Sequence, residues 1–325
     1  MNRKEIANLI KEKARLNRDL ENLFYGVIEI RNIDDQQFIY VHYRQDGLGL
    51  TKYVGQYSKE LFEIIDRNNR QAKYIKKQIK EIDRLLGKLE YNLPIKEDVV
   101  FAKDFAKRNL VEIIYRQAIL EGIATNYADT ETILQGGKIK GYKQKDIISI
   151  INLKHAYEFI LNSNVLLSPS NFSLLCEINS TICEGITLNS GKIRDVPIEI
   201  TGSSWRPKLP IESDIRQNIK NILNLSDDYV ANALKLMIYI CKAQPFLDGN
   251  KRSATLFANH YLLSKGKGMI VVPKDKIKKF KENLLEYYEH NNEEKMIEFL
   301  KDNCLVTTDD KKLESGTNNE SQREI

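Results

Sequence analysis

Nine consecutive residues, Gln244-Pro245-Phe246-Leu247-Asp248-Gly249-Asn250-Lys251-Arg252, gather two amides, a carboxylate, a glycine and two cations between two apolar runs. A loop that feeds Gly-Asn into a helix start presents unpaired backbone N–H groups at the positive end of the helix dipole. That is an anion site, and phosphate is the usual anion. Lys251 and Arg252 add positive charge, and Asp248 is placed to hold a metal bridging phosphates, as magnesium does in phosphoryl-transfer sites. Read blandly, the same residues are the solvated tip of a helix-loop-helix, since Asp-Gly and Gly-Asn are ordinary turn pairs.

Two helices must position this loop. Val230, Ala233, Leu234, Met237, Ile238 and Cys241 recur at helical spacing before it, and Ala254, Phe257, Ala258, Tyr261 and Leu262 do so after it. The second helix is expected to stop at Lys265-Gly266, a cation followed by a glycine. Upstream, Ile193, Val196, Ile198 and Ile200 predict a strand running into a loop at Gly202. Ser203, Ser204 and Trp205, the chain's single tryptophan, follow. An open strand edge can take a strand from a partner through backbone bonds, and Trp205 then either anchors that partner or closes the hairpin as a core residue.

The nine-residue segment resembles the signature H-P-F-x-D/E-G-N-G-R-x-x-R of Fic-domain (Fido) proteins. "GKIRDVPIEITGSSWRPKLP" (Gly191 to Pro210) is similar to that family's flap, and "ILEGIATNYADTETIL" to the E-G element of members with an inhibitory helix. The resemblance runs roughly from residue 99 to residue 288. It implies an all-α core with a β-hairpin flap that binds a target protein segment through Ile200 and Gly202–Trp205. It implies ATP and Mg²⁺ held by Asp248, Gly249, Asn250, Lys251 and Arg252, transfer of AMP or a related phosphate-containing group to a protein hydroxyl, and an inhibitory role for Glu121.

Three positions depart from that pattern. Gln244 stands where the family has its general-base histidine, and an amide cannot accept and carry a proton near neutral pH. A positioned base contributes about 10²–10⁴ in rate, whereas most phosphoryl-type catalysis comes from positioning and electrostatics. Three readings therefore stand: slow transfer, binding without transfer, or a glutamine that orients the attacking group. Lys251 replaces the commoner glycine. Thr255 and Gln117 replace the second arginine and the serine that accompany the inhibitory glutamate, which leaves Arg252 as an alternative partner for Glu121.

The preceding region reads as a separate unit. A helix over 3–23, three short strands over 25–55 and a long helix over 58–90 are expected, with Ala72, Ile75, Ile79, Ile82, Leu86 and Leu89 forming a coiled-coil seam. Arg70, Lys73, Lys77, Lys80, Arg84 and Lys88 line the opposite face, with Tyr40, Tyr43, Arg44, Lys52 and Tyr53 on the strands. They suit either a nucleic-acid surface or a solvated face offset by Glu63, Asp66, Glu81 and Asp83. This arm is also a place for a partner or a second copy to dock. The expected organisation is a helical arm with a small antiparallel sheet over 1–94, a Fic-like domain over 95–305 and a disordered tail over 306–325.

Among 325 residues, 42% are hydrophobic and 29% charged, and the net charge of +5 is too mild to demand a nucleic-acid partner. No eighteen-residue apolar run occurs and the N-terminus lacks a signal-peptide core, so no membrane association and a cytoplasmic location are expected. Cys176, Cys183, Cys241 and Cys304 show no C-x-x-C spacing and read as reduced thiols.

Overall fold

The computed structural model describes residues 3–21, 23–45, 48–90 and 96–307. The chain divides into two compact units, residues 8–91 and residues 92–325 with residues 1–7. The sequence-based break at Pro94, the turn residues Asp46 and Gly47, and the tail from Thr308 onward lie outside the described residues, as do the side chains of Arg44, Lys88 and Leu89.

In the smaller unit, α1 (Arg3–Glu21) leads into an antiparallel sheet of β1 (Val27–Ile33), β2 (Gln36–Gln45) and β3 (Leu48–Gln56), followed by the 32-residue α2 (Lys59–Glu90). Asp34 and Asp35 adopt positive φ of 48° and 60°, which gives the two-residue turn whose twist matches the strands it joins. Leu16, Ile75 and Ile82 are buried with Leu9, Leu20, Leu23, Ile79 and Leu86 against them, so the heptad pattern of α2 packs on α1 as expected. Ile39, Val41 and Ile65 form a second cluster under one face of the sheet. Asn69 donates to Gly26 O and accepts from Gly26 N at 3.0 and 2.9 Å, pinning the strand entry to α2. The basic face of α2 is tied up in part by its own acids: Arg70 pairs with Asp66 at 2.7 Å and Arg84 with Glu81. Such exposed pairs favour the solvated-face reading.

The larger unit is helical. α3 (Glu97–Arg108), α4 (Leu110–Leu120), α5 (Tyr127–Leu134), α6 (Gln144–Ile160), α7 (Ser163–Leu166), α8 (Phe172–Ile182) and α9 (Glu212–Leu223) surround α10 (Tyr229–Ala243) and α11 (Asn250–Ser264). α12 (Ile277–His290) and α13 (Glu293–Asn303) complete it, with β4 (Met269–Ile270) paired to β5 (Leu305–Val306). Nearly every residue of α11 is buried, including Asn259 and His260. These polar groups are satisfied: Asn259 exchanges two hydrogen bonds with the Ile270 backbone, and the ring of His260 meets Ser170 Oγ and Val165 O. α10 starts on Asp228, whose carboxylate accepts from the amides of Val230 and Ala231. The fold is mainly α with small antiparallel sheets. Among the described residues no helix is long and apolar enough to cross a membrane.

One local expectation fails. Ile193–Ile200 forms no strand; residues 193–211 double back through a turn at Ile200–Ser203 without ladder bonds. Pro197, Pro207 and Pro210 remove amide donors from both limbs. A buried arginine, described next, takes the carbonyls a strand would have used.

Candidate functional site

The α10–α11 junction is built from two left-handed residues. Gln244 ends α10 at φ 46°, ψ 58°, its amide bonded to Ile240 O at 3.1 Å, and Gly249 caps α11 at φ 76°. The conformation costs a non-glycine residue about 1–2 kcal/mol, so the surroundings must hold Gln244 in place. They do. Its carbonyl accepts from Arg194 Nε at 2.7 Å, and its side-chain amide donates to Cys241 O at 2.6 Å. The Tyr288 hydroxyl also bonds the Gln244 side chain, while burial raises this phenol well above its ordinary range. Gln244 thus caps its helix and is 8% exposed, at the edge of a cleft.

Asn250 closes the loop: its side chain accepts from Phe246 N at 2.9 Å and donates to Phe246 O at 2.8 Å. Asp248 Oδ1 accepts from Gly249 N at 2.6 Å and from Arg252 Nη2 at 3.0 Å, which leaves its second oxygen for a cation. From below, Asn179 of α8 donates to Asp248 O at 2.9 Å and to Ser253 Oγ at 3.0 Å. Gly249 packs so closely here that a Cβ would sit 2.6 Å from Cys183 Sγ. Glycine is therefore needed twice, for its φ and for the thiol beneath it. Burial pushes that thiol up to about 11.

The cleft is about 610 Å³ and is lined by Glu121, Ile200, Thr201, Gln244, Asp248, Gly249, Asn250 and Lys251, with Lys281, Leu284, Leu285 and Tyr288 from α12 opposite. The first turn of α11 thus carries amides with no intrahelical acceptor, and the Arg252 side chain beneath it is 7% exposed. Arg252 Nε has no hydrogen-bond partner among the described residues. Glu121, at the end of α4, approaches it at 3.6 Å and Lys251 Nζ at 3.9 Å, distances of ion pairing rather than hydrogen bonding. Glu121 thereby finds the partner left open by Thr255, whose hydroxyl donates to Lys251 O at 3.0 Å. Gly122, at φ 86°, ends α4 as a glycine stop does.

The flap residues divide. Ile200 lines the cleft, whereas Gly202–Trp205 are held on α12. Ser203 Oγ and Ser204 N donate to Glu289 Oε1 at 2.8 and 3.2 Å. Trp205, half-buried, stacks on Tyr288 with centroids 5.4 Å apart and Lys242 Nζ above its ring at 5.6 Å. It is not a fully buried core residue, and it braces the flap against α12.

Arg194 is the residue that sequence reasoning missed most completely. It is 2% exposed, has no carboxylate partner among the described residues, and donates to Gln244 O, Val196 O at 2.8 Å and Lys208 O at 2.5 Å. Burial lowers its pKa, and its own amide bonds Pro245 O at 2.9 Å. Both flap limbs and the signature loop therefore meet on one guanidinium. In the sequence it looks like any solvated cation; Asn179, Lys281 and Tyr288 likewise carry no local signal.

A helical core presenting a glycine-capped helix start and a carboxylate to a cleft beside a folded-back flap, with a buried arginine paired to that carboxylate, defines a class. Residues 169–262 match the model of the Fic/DOC family. The fold is similar to Fic-1 (residues 134–508) of C. elegans, with 20% identity over 73% of this chain and 72% of that one and a TM-score of 0.51. A Fic domain containing signaling protein from Bacteroides thetaiotaomicron aligns over 67% of this chain and 89% of its own, at 22% identity and a TM-score of 0.52. A Fic family protein from Desulfovibrio desulfuricans aligns over 64% and 72%, at 15% identity and a TM-score of 0.50. No curated protein matches the sequence. Residues 169–262 of the chain are thus a Fic/DOC family domain.

Proposed function

We propose that this protein binds the phosphates of a nucleotide, ATP being the expected one, at the start of α11, and transfers AMP or a related phosphate-containing group to a hydroxyl of a protein segment docked at the flap. The observation that carries the reading is Arg252 Nε, buried without a hydrogen-bond partner in the first turn of a 15-residue helix, with Glu121 at ion-pairing distance. A buried donor without an acceptor is costly by about 1–3 kcal/mol, and an anion entering from the cleft would satisfy it.

The residues also fit magnesium. Among the described residues no cluster of three His, Cys, Asp or Glu side chains stands ready to hold a metal. Mg²⁺ in phosphate sites takes one or two carboxylates and draws its other ligands from phosphate and water, which a lone Asp248 satisfies. Bound there, it would neutralise phosphate charge; Asp248 would hold it while Lys251 and Arg252 orient the anion. Gln244 supplies a fixed amide in the family's base position, so a target hydroxyl could be oriented there but would give its proton to water. Transfer would then be slower by the roughly 10²–10⁴ that a positioned base contributes.

A second reading, a nucleotide- and partner-binding protein that transfers nothing, is favoured by the same Gln244, whose side chain is already engaged by Cys241 O and Tyr288. The test is Mg²⁺-dependent labelling of protein from α- and γ-labelled ATP by wild type, Gln244→His and Asp248→Ala. Label from wild type that Asp248→Ala abolishes establishes transfer, and its position identifies the group moved. Label from Gln244→His alone favours the binding reading. Silence from all three, with no ATP binding by calorimetry, overturns both.

A further inference from the structure

Among the described residues the sheet of the smaller unit has two unpaired edge strands, β1 and β3, and they are not equivalent. β3 is protected: its register with β2 is broken by a bulge between Ile39 and Tyr40, and it carries Lys52. Bulges and lysines are the usual means of keeping an edge strand from pairing. β1 has neither. Its seven residues run in unbroken register with β2 from Val27↔His42 to Ile33↔Gln36, without proline or lysine. Three of its apolar residues face solvent, with Val27 70%, Ile30 42% and Ile33 45% exposed. A long, regular, apolar edge is a template for one more strand.

The order of residues along β1 says which strand. Laid antiparallel to itself about a twofold axis through Ile30, the segment Val-Ile-Glu-Ile-Arg-Asn-Ile is complementary to itself at every contact but Ile28 with Asn32. Ile30 meets Ile30 of the second copy, Val27 meets Ile33, and Glu29 meets Arg31. Opposed residues in an antiparallel pair share a face, so the two Glu–Arg contacts fall on one side and the central isoleucines on the other. Within one chain Glu29 already accepts from Arg31 at 2.8 Å and lies 2.7 Å from the ring of His42, so carboxylate and guanidinium stand side by side on that face. A second copy would join them into a four-membered ring of alternating charge. A register shift by two would instead oppose Glu29 to Glu29 or Arg31 to Arg31, which is unfavourable.

We infer that the protein self-associates through β1, two copies joining their three-stranded sheets into one continuous six-stranded antiparallel sheet with a twofold axis at Ile30. The contact is isologous and therefore closes at two copies rather than growing. It is independent of the nucleotide reading, since it uses neither the cleft nor the flap.

Mass measurement in solution tests it on the full chain. Wild type is expected at twice the 37.7 kDa chain mass at micromolar concentration. Ile30→Lys opposes two ammonium groups at the axis, and Glu29→Arg sets a new guanidinium against Arg31 of the second copy. Each should weaken association at least tenfold. The exchange Glu29→Arg with Arg31→Glu restores opposite charges at both contacts and should restore the dimer. An Ile30→Cys variant should form an intermolecular disulfide on mild oxidation, because directly opposed strand residues lie about 4.5–5.5 Å apart, within disulfide reach. Leu50→Cys on the β3 edge should not. Circular dichroism and melting temperature monitor folding of each variant. A monomeric wild type at hundreds of micromolar, a dimer indifferent to Ile30→Lys, or a double exchange no better than Glu29→Arg overturns the inference.

Discussion

Replacing Arg194 by methionine removes the one side chain that joins both flap limbs to the signature loop. Three carbonyls, those of Gln244, Val196 and Lys208, each lose a charged donor at 2.8 Å or less. Hydrogen bonds from charged groups contribute about 1.5–3 kcal/mol each, so the gross loss is roughly 4–9 kcal/mol. Two effects reduce it. The guanidinium no longer has to be desolvated, a cost visible in its lowered pKa, and the part-buried carbonyls of Val196 and Lys208 can turn to water. Gln244 O is buried and cannot. The net expectation is about 3–5 kcal/mol, which for a unit of this size lowers the melting temperature by roughly 6–20 °C. Thermal and urea unfolding of Arg194→Met measure the loss, and limited proteolysis reports whether residues 193–211 open first. Arg194→Lys should fall between the two, since one ammonium cannot span three carbonyls. A loss below about 1 kcal/mol for Arg194→Met, or cleavage elsewhere before the flap, would refute the reasoning.

Glu121→Gln removes the carboxylate that faces Arg252 and Lys251 at 3.6 and 3.9 Å. ATP binding by calorimetry should tighten about tenfold, a modest share of the several kcal/mol that charges at this distance exchange at an effective dielectric of about 20; unchanged or weaker binding would show that the carboxylate does not compete with phosphate. The Cys183 thiol is raised from 9.0 to about 11, chiefly by burial. It is protonated in both folded and unfolded chains below pH 9.0, so its contribution is complete there and is lost as pH rises toward 11. Urea titrations should show wild type losing about 2–3 kcal/mol more than Cys183→Ala across that window, and parallel curves would contradict the assignment.

The signature loop was legible because chemistry, glycine and helix periodicity coincide in nine residues. Asp248, Gly249 and Lys251 line one cleft, Arg252 pairs with Asp248 from within the core, and Gly122 and Gly266 stop their helices as glycines do. The arm was legible for a similar reason: a 3–4 spacing of aliphatics and an Asp-Asp turn are local, and Leu16, Ile75 and Ile82 meet where that spacing put them. The flap differs from its sequence signal because Val196, Ile198 and Ile200 in alternation look like a strand, whereas three prolines and the carbonyl demand of Arg194 decide otherwise.

What the sequence determined by itself is everything set by neighbours along the chain: helix stops, the heptad seam, the anion-binding helix start and the absence of a base at Gln244. What only the tertiary structure decided is set by partners far apart in sequence. Asn250 spends its side chain within the loop, Arg194 leaves solvent to serve Gln244 fifty residues away, and Glu121 reaches Arg252 across the helical core. Trp205 lies half-buried on Tyr288. The physical reason is the same in each case. A polar side chain's role depends on whether burial forces it to find a partner, and burial is a property of the packed chain, not of the residue or its neighbours in sequence.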